Sequence, residues 1–448
     1  MAPVGILAVA LVIVIGGVLV LRLHPFVVLI TAAFAVALLA PVDAAEATAA
    51  GERVAQGFGT TARDVGIVIA LASILGGCLA AAGGARRIVV AIQRLVGERN
   101  TAVALLLAGF VLGIPMFAET VFYLLLPLAR ASWERTGRGY LLGVLAIVAG
   151  GTMTHSLVPP TPGPLFVAEA LAVPLATMIG VGLVVGFLAA LAGYAYARWA
   201  DRRWPLEPAR AAAADDAAAA AGREPPLPPL WAAVLPILLP IVLITAESAT
   251  RAAPEAFPPG LLAPLRFAGE KNMALGISAL AAVAVLAATR RDAAVLRTTL
   301  AEAVTEAGSI ILVIGAGGAL GAALRQAGLA QLTRGLAGGE GLALVAAAWA
   351  VTALIRAAQG SATVAMTTAA GVMAPLMAAG GTTVDPVYVA IAIGCGSKVG
   401  MWMNDSGFWV VARMSGMNEV QTLRTTSAMV AIEGTVGLAV TLLLAATW

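Results

Sequence analysis

The chain has 448 residues, of which 60% are hydrophobic and 11% charged, with a mean hydropathy of +0.96. Soluble domains carry about 25% charged residues, so a water-solvated globule is excluded and lipid is the expected solvent. The formal net charge of +3 is spread over loops without a basic face, which excludes a nucleic-acid partner.

Crossing the hydrocarbon core takes about 20 apolar residues. Segments 3–21, 65–84, 140–158, 174–197, 273–289 and 425–448 read this way, and the chain has room for about ten spans. Segment 3–21 lacks a basic n-region and a small-residue cleavage site, so a retained helix is expected rather than a signal peptide. Lysine and arginine gather on the cytoplasmic side. Arg22, Arg86, Arg87, Arg135, Arg138, Arg198, Arg202 and Arg203 are therefore expected inside, with Arg290, Arg291, Arg297, Arg413 and Arg424. The N-terminus is then outside, and Arg251, Arg266 and Lys271 fall outside against the rule.

Basic residues on both flanks make residues 100–130 enter and leave on the cytoplasmic side. Arms of about 13 residues, roughly 20 Å at helical rise, are too short to span. A re-entrant hairpin with Gly113, Ile114 and Pro115 at its tip is expected. Residues 198–229 combine charge, an alanine tract with Asp215 and Asp216, and the run GREPPLPP. They read as a surface linker whose alanine tract forms a short solvated helix. The expected organisation is an N-terminal membrane repeat over 1–198, a cytoplasmic linker over 199–229 and a C-terminal membrane repeat over 230–448. Within the last, 341–355 and 363–379 flank a break at Gln359 and Gly360, which predicts a second hairpin over about 341–380. An odd number of crossings per half inverts the second repeat. The fold class is all-α and polytopic, with two inverted repeats and two re-entrant hairpins.

Polar, Pro/Gly-broken segments recur at matching places in the two halves. They are GIPMFAET (113–120) and THSLVPPTPGP (154–164), then AAQGSATVA (357–365) and GSKVGMWMNDSGFW (396–409). The separations Glu119 to Thr363 and His155 to Lys398 are nearly equal. Non-helical backbone at membrane depth lines a cavity or is buried in protein, and matching interruptions mark a transporter's binding site.

Gly360 permits a turn, and Ser361 and Thr363 sit near the start of the next arm, where free N–H groups favour an anion. A small-residue helix contact is the plainer account of that stretch, but Arg356 inside an apolar run argues for a solute pathway. Glu119 is a carboxylate in an apolar hairpin, suited to exchanging a proton or to a structural ion pair. His155 titrates near neutrality and is a candidate for coupling or for a core hydrogen bond. Lys398 can hold a carboxylate, Asn404 can bond hydroxyls, and Asp405 can carry a proton or pair with Lys398. Trp402, Phe408 and Trp409 read as an interfacial belt, and His24 as an interface residue. The run GAGGALGAAL (315–324) lacks the strand and lysine of a nucleotide loop, so close helix packing is expected there. Two cysteines and two histidines support neither a disulfide framework nor a metal site, and no cofactor is expected.

These motifs, with GIPMFAETVFYLLLPLAR, LLGVLAIVAGGTMTHSLVPPTPGPL and RAAQGSATVAMTTAAG in the expected order, resemble the gluconate permease family of the ion transporter superfamily. The resemblance covers most of the chain outside the linker. It implies a multi-pass protein of the bacterial inner membrane, not an enzyme, importing gluconate or a related sugar acid with protons. It further implies a homodimer working by elevator-like displacement. The family often has PPHPGP where this chain has PPTPGP, so Thr161 replaces an imidazole, and Lys398 also departs from the family wording. Ser361, Thr363, Gly360 and backbone amides are expected to hold the substrate carboxylate, with charge from Lys398 or Arg356. Asn404, Thr161 and His155 would read hydroxyls, and Glu119 or Asp405 would exchange the proton. The alternatives are a sodium-coupled carrier or antiporter for another acid such as glycerate or D-serine, an anion channel, or an intramembrane enzyme.

Overall fold

A computed structural model describes residues 3–19, 21, 23–40, 49–97, 100–208, 227–327, 341–378, 384–403 and 405–447. Among these, the regular elements are all helices. The alanine tract of the linker and Asn404 lie outside the described residues.

In the first half, α1 (Pro3–Leu19) and α2 (Pro25–Leu39) precede the long α3 (Ala50–Ala81) and the short α4 (Gly84–Val96). A hairpin follows, α5 (Thr101–Leu112) and α6 (Ala118–Thr136), then a broken pair, α7 (Tyr140–Leu157) and α8 (Pro162–Ala170), and the long α9 (Leu175–Arg203). The second half begins with α10 (Leu230–Ala252), α11 (Pro259–Gly269), α12 (Lys271–Arg290) and the long α13 (Ala293–Gln326). The hairpin α14 (Gly341–Gln359) and α15 (Ala362–Ala378) and the broken pair α16 (Pro386–Gly396) and α17 (Ser406–Ser415) come next. The chain closes with α18 (Glu419–Thr422), a π turn over Leu423–Ser427 and α19 (Ala428–Thr447).

Among the described residues, seven helical stretches are long and apolar enough to cross a membrane, beside five shorter apolar helices. The first hairpin differs from the expected equal arms, because α6 runs for 19 residues. Its last turns, ending SWERT, are polar and exposed, so the apolar part of the arm is still short. Helix α4 is amphipathic, burying Ile88 and Val89 while carrying Arg86, Arg87 and Arg94. That pattern suits a helix lying in the interface. The cations that broke the orientation rule have local partners. Lys271 Nζ lies 2.6 Å from Glu169 Oε2, Arg251 pairs with Glu247, and Arg266 donates to the Thr250 carbonyl at 3.1 Å.

Packing follows the same scheme in both halves. The pairs α1–α2, α2–α13, α5–α7 and α7–α9 in contact have counterparts in α10–α12, α12–α3, α14–α16 and α16–α19. The long helices α3 and α13 pack together, as do α9 and α19. The broken stretch from Tyr140 to Ala170 is 89% buried, whereas the apolar windows of α10 and α12 are 33% buried. Leu235, Leu238, Val242 and Leu280 on those two helices are exposed, as a lipid-facing surface requires.

Small residues set how closely the elements approach. The GAGGALGAAL run lies inside α13, where Gly315 and Gly318 receive Phe58 and Thr61 of α3 while Gly321 meets Gly371 of α15. The run therefore serves helix packing. Gly150 lets α7 lie on α5. A methyl there would stand 2.6 Å from Phe110 N and closer still to the Leu106 carbonyl. Both obstacles are backbone, so Gly150→Ala is expected to cost about 1–3 kcal/mol. A lowered unfolding midpoint in detergent checks this, and an unchanged midpoint would show that the two helices can part.

Candidate functional site

The breaks converge. At the first hairpin tip the chain turns through Gly113–Met116, and Phe117, in extended backbone, starts α6. This places Glu119 in the first helical turn. The tip rests on α3 at Gly76, whose missing side chain accommodates the Pro115 carbonyl. At the second tip Gly360 adopts φ +83°, a left-handed conformation that glycine takes without steric cost. Ser361 then accepts from Val364 N at 3.4 Å and opens α15. In the second broken pair, Gly400 is also left-handed at φ +88° and lies against Ala357 of α14. Trp402 Nε1 donates to the Ala357 carbonyl at 2.8 Å, tying the break to the second hairpin.

Each broken pair also reaches across to the other half. Helix α8 seats on α15, where Gly163 leaves room for Met366. Helix α17 packs on α6, and Arg130 donates to the Met414 carbonyl.

A cavity of about 540 Å³ lies where these segments meet, within the roughly 300–1,000 Å³ range of small-molecule sites. Its wall includes Glu119, His155, Arg356, Gly360, Ser361, Thr363, Lys398 and Asp405. Thr161 is not in that wall. Its hydroxyl donates to the Val158 carbonyl at 2.8 Å and is buried, so it fastens the break it belongs to.

Within the wall, Arg356 pairs with Asp405 and also donates to the Gly360 carbonyl. Asp405 additionally caps α17, its Oδ1 accepting from Phe408 N at 3.0 Å. One guanidinium thus ties the second hairpin tip to the second break, and Asp405 is bound by Arg356 rather than by Lys398 alone. A methyl on Gly407 would stand 2.9 Å from Asp405 Oδ1 and 3.4 Å from Glu119 Oε1, so the two carboxylates flank that glycine. Lys398 is 4% exposed and lies within electrostatic reach of Arg356, Glu433, Asp405 and Glu119. The His155 ring packs against Phe117 at 5.4 Å between centroids, and its buried Nδ1 has no hydrogen-bond partner among the described residues.

Several wall residues escape a reading of the sequence. His24, expected at the interface, caps α2 by accepting from Phe26 N at 3.3 Å and is an exposed member of the wall. Glu306 and Ser309 enter from α13, and Thr152 from α7. In LAEAVTEAGS, Glu302 and Glu306 read as an interfacial stretch, and nothing in the pattern sends Glu306 inward. Glu433 of α19 is fully buried beside Lys398. A lone carboxylate in the apolar run AMVAIEGTVGLAV was a legible signal. Of the expected aromatic belt, Trp402 is 45% exposed but Phe408 is fully buried. The Phe408 ring packs edge-on to the half-buried Trp409.

Helices that break around a charged cavity define a multi-pass membrane protein built to hold a small polar solute. The chain belongs to the GntP family of permeases, whose model matches residues 2–447. It is 33% identical to an uncharacterized permease of Haemophilus influenzae over 89% of this chain and 83% of the relative. A gluconate permease of Pseudomonas aeruginosa is 31% identical over 94% and 93% of the two chains. The D-serine transporter DsdX of Escherichia coli K12 is 31% identical over 98% of each. Among solved structures, the YdaH transporter of Alcanivorax borkumensis, described as having an unusual topology, superposes with a TM-score of 0.61. It covers 95% of this chain at 16% identity, a likeness of fold alone. Like the permeases and transporters it resembles, the protein is not an enzyme.

Proposed function

We propose that this protein is a secondary transporter of the bacterial inner membrane that imports a small hydroxy-carboxylate, gluconate or a related sugar acid, together with protons. The observation that carries the reading is the meeting of both hairpin tips and the second break around one charged cavity. Arg356 is already committed to Asp405 and Gly360, so among the described residues of the wall Lys398 is the cation left for the substrate's carboxylate. The Ser361 and Thr363 side chains and the free N–H groups of the first turn of α15 complete that end. His155, which lines the cavity, is a candidate to read the hydroxyls, with Asn404 as a further one.

Charge balance favours cation coupling. Among the described residues, Glu119, Asp405 and Glu433 lie around two cations, Arg356 and Lys398, and Glu306 lies within electrostatic reach of Glu119. An anion entering that set meets an excess of negative charge. At ~5 Å and an effective dielectric near 20, each like pair costs about 3 kcal/mol, and a proton arriving with the substrate removes one such charge.

The repeated packing scheme supports two inverted repeats, 1–198 and 230–448, joined by a cytoplasmic linker over 199–229. It also supports an elevator-like motion. The hairpins, broken pairs, α9 and α19 form one group, and α1–α3, α10, α12 and α13 another, the two joined most closely where α13 packs on α15. The cavity lies between them, since α2 and α13 face the tips across it. We assign the working unit as a homodimer, as the family resemblance implies.

Labelled gluconate should accumulate in proteoliposomes under an inward proton gradient, blocked by unlabelled gluconate more than by glycerate. Flux indifferent to the gradient and far above carrier turnover would make the protein a channel. Accumulation blocked best by D-serine would favour a second reading, supported by the D-serine transporter among its relatives.

A further inference from the structure

Outside the cavity wall, on the helix that packs against the Lys398 stem, sits a carboxylate that the reading above leaves without a task. Glu433 on α19 has no solvent exposure. The Thr152 hydroxyl of α7, shared with the Val148 carbonyl at 2.8 Å, lies 3.3 Å from its Oε2, while Oε1 has no hydrogen-bond partner among the described residues. Room for the head group is made by α9, where any side chain at Gly193 would overlap Oε1. The neighbouring Gly434 brings α19 onto the second break, a methyl there standing 3.0 Å from Lys398 Cβ. Trp349 of α14 clamps the contact by donating to the Gly434 carbonyl at 3.0 Å.

The ionisable groups around Glu433 can be followed element by element. Helix α7 contributes Thr152 and, a turn further on, His155. Helix α16 and its break contribute Cys395, whose thiol contacts Gly437, and Lys398. Helix α9 presents Gly193, and its nearby Tyr194 is engaged with Arg198. Lys398 is therefore the charged side chain, among the described residues, within electrostatic reach of Glu433.

A buried carboxylate with an unpartnered oxygen is tolerated while a cation lies beside it. Once that cation is taken by another anion, the neutral acid is favoured. We propose that Glu433 and the substrate's carboxylate share Lys398 in alternation, so that Glu433 takes up a proton as the acid binds. Lys398 thereby becomes the hinge of coupling, neutralising Glu433 in the empty site and the substrate in the filled one. Glu119 acts at the cavity face and Glu433 at the sealed face of the same lysine. The inference rests on the cavity being a carboxylate site.

Two measurements test it on the full-length protein in detergent. Gluconate added in weak buffer should draw protons from solution in the wild type. Glu433→Gln should still bind gluconate but take up fewer protons, with a flattened pH dependence of affinity. Equal uptake in both proteins would overturn the proposal. Infrared spectra without substrate supply the second arm. Lys398→Met should show the carbonyl stretch of a protonated carboxylic acid, and the double variant Lys398→Met/Glu433→Gln should lose it. Absence of that band in Lys398→Met would overturn the linkage, whatever gluconate does. Gluconate binding to neither protein, with the band present and lost as described, would overturn the gluconate reading while keeping Lys398 and Glu433 linked.

Discussion

Replacing Arg356 with methionine should abolish uptake and destabilise the fold by roughly 3–5 kcal/mol. The guanidinium is 5% exposed and its partner Asp405 6%. Removing the cation leaves a carboxylate in a low-dielectric site with nothing to offset its lost hydration. Arg356→Lys should restore part of the stability but little of the transport. A single ammonium cannot serve both the Asp405 carboxylate and the Gly360 carbonyl with the fork geometry of arginine. The double variant Arg356→Met/Asp405→Leu removes both charges, and should recover most of the stability without recovering uptake. Thermal midpoints and uptake, measured on the same preparations, separate the two roles. If the double variant transports, the pair is merely structural and the second tip needs no anchor.

Glu119→Gln should eliminate proton-driven accumulation while leaving substrate counterflow measurable. The side chain projects from the first turn after the first tip and lies across Gly407 from Asp405. Asp405 is occupied by Arg356 and by the N-terminus of α17, so Glu119 is the freer of the two carboxylates to change its charge. A glutamine keeps the shape and hydrogen-bonding capacity but cannot cycle a proton, so exchange down a substrate gradient survives. Loss of counterflow as well would make Glu119 a substrate ligand or a structural residue, and coupling would have to be sought at another carboxylate.

Much of the site could be read before any coordinates. Glycine and proline punctuate an otherwise apolar chain, and interruptions of membrane helices are rare enough to be informative. That is why both tips, Glu119, His155 and Lys398 were legible. Glu306 was not, because a glutamate near the end of an amphipathic stretch looks the same whether it faces water, headgroups or a cavity. Thr161 misleads for a related reason. A threonine in a proline-rich break can point into a cavity or fasten the break, and the Val158 carbonyl decides between them.

By itself, the sequence determined the solvent, the helical class, the positions of the breaks and the residue types able to meet an organic anion. These depend on local composition, since a segment without enough charge must enter lipid and a Gly or Pro break must open the helix wherever it occurs. Tertiary structure decided which charges pair. Arg356 chose Asp405, leaving Lys398 between the cavity and Glu433, and Gly193 of a distant helix made room for that carboxylate. Coulomb energy in a low-dielectric interior falls with distance and not with sequence separation, so such partnerships exist only once the helices are packed.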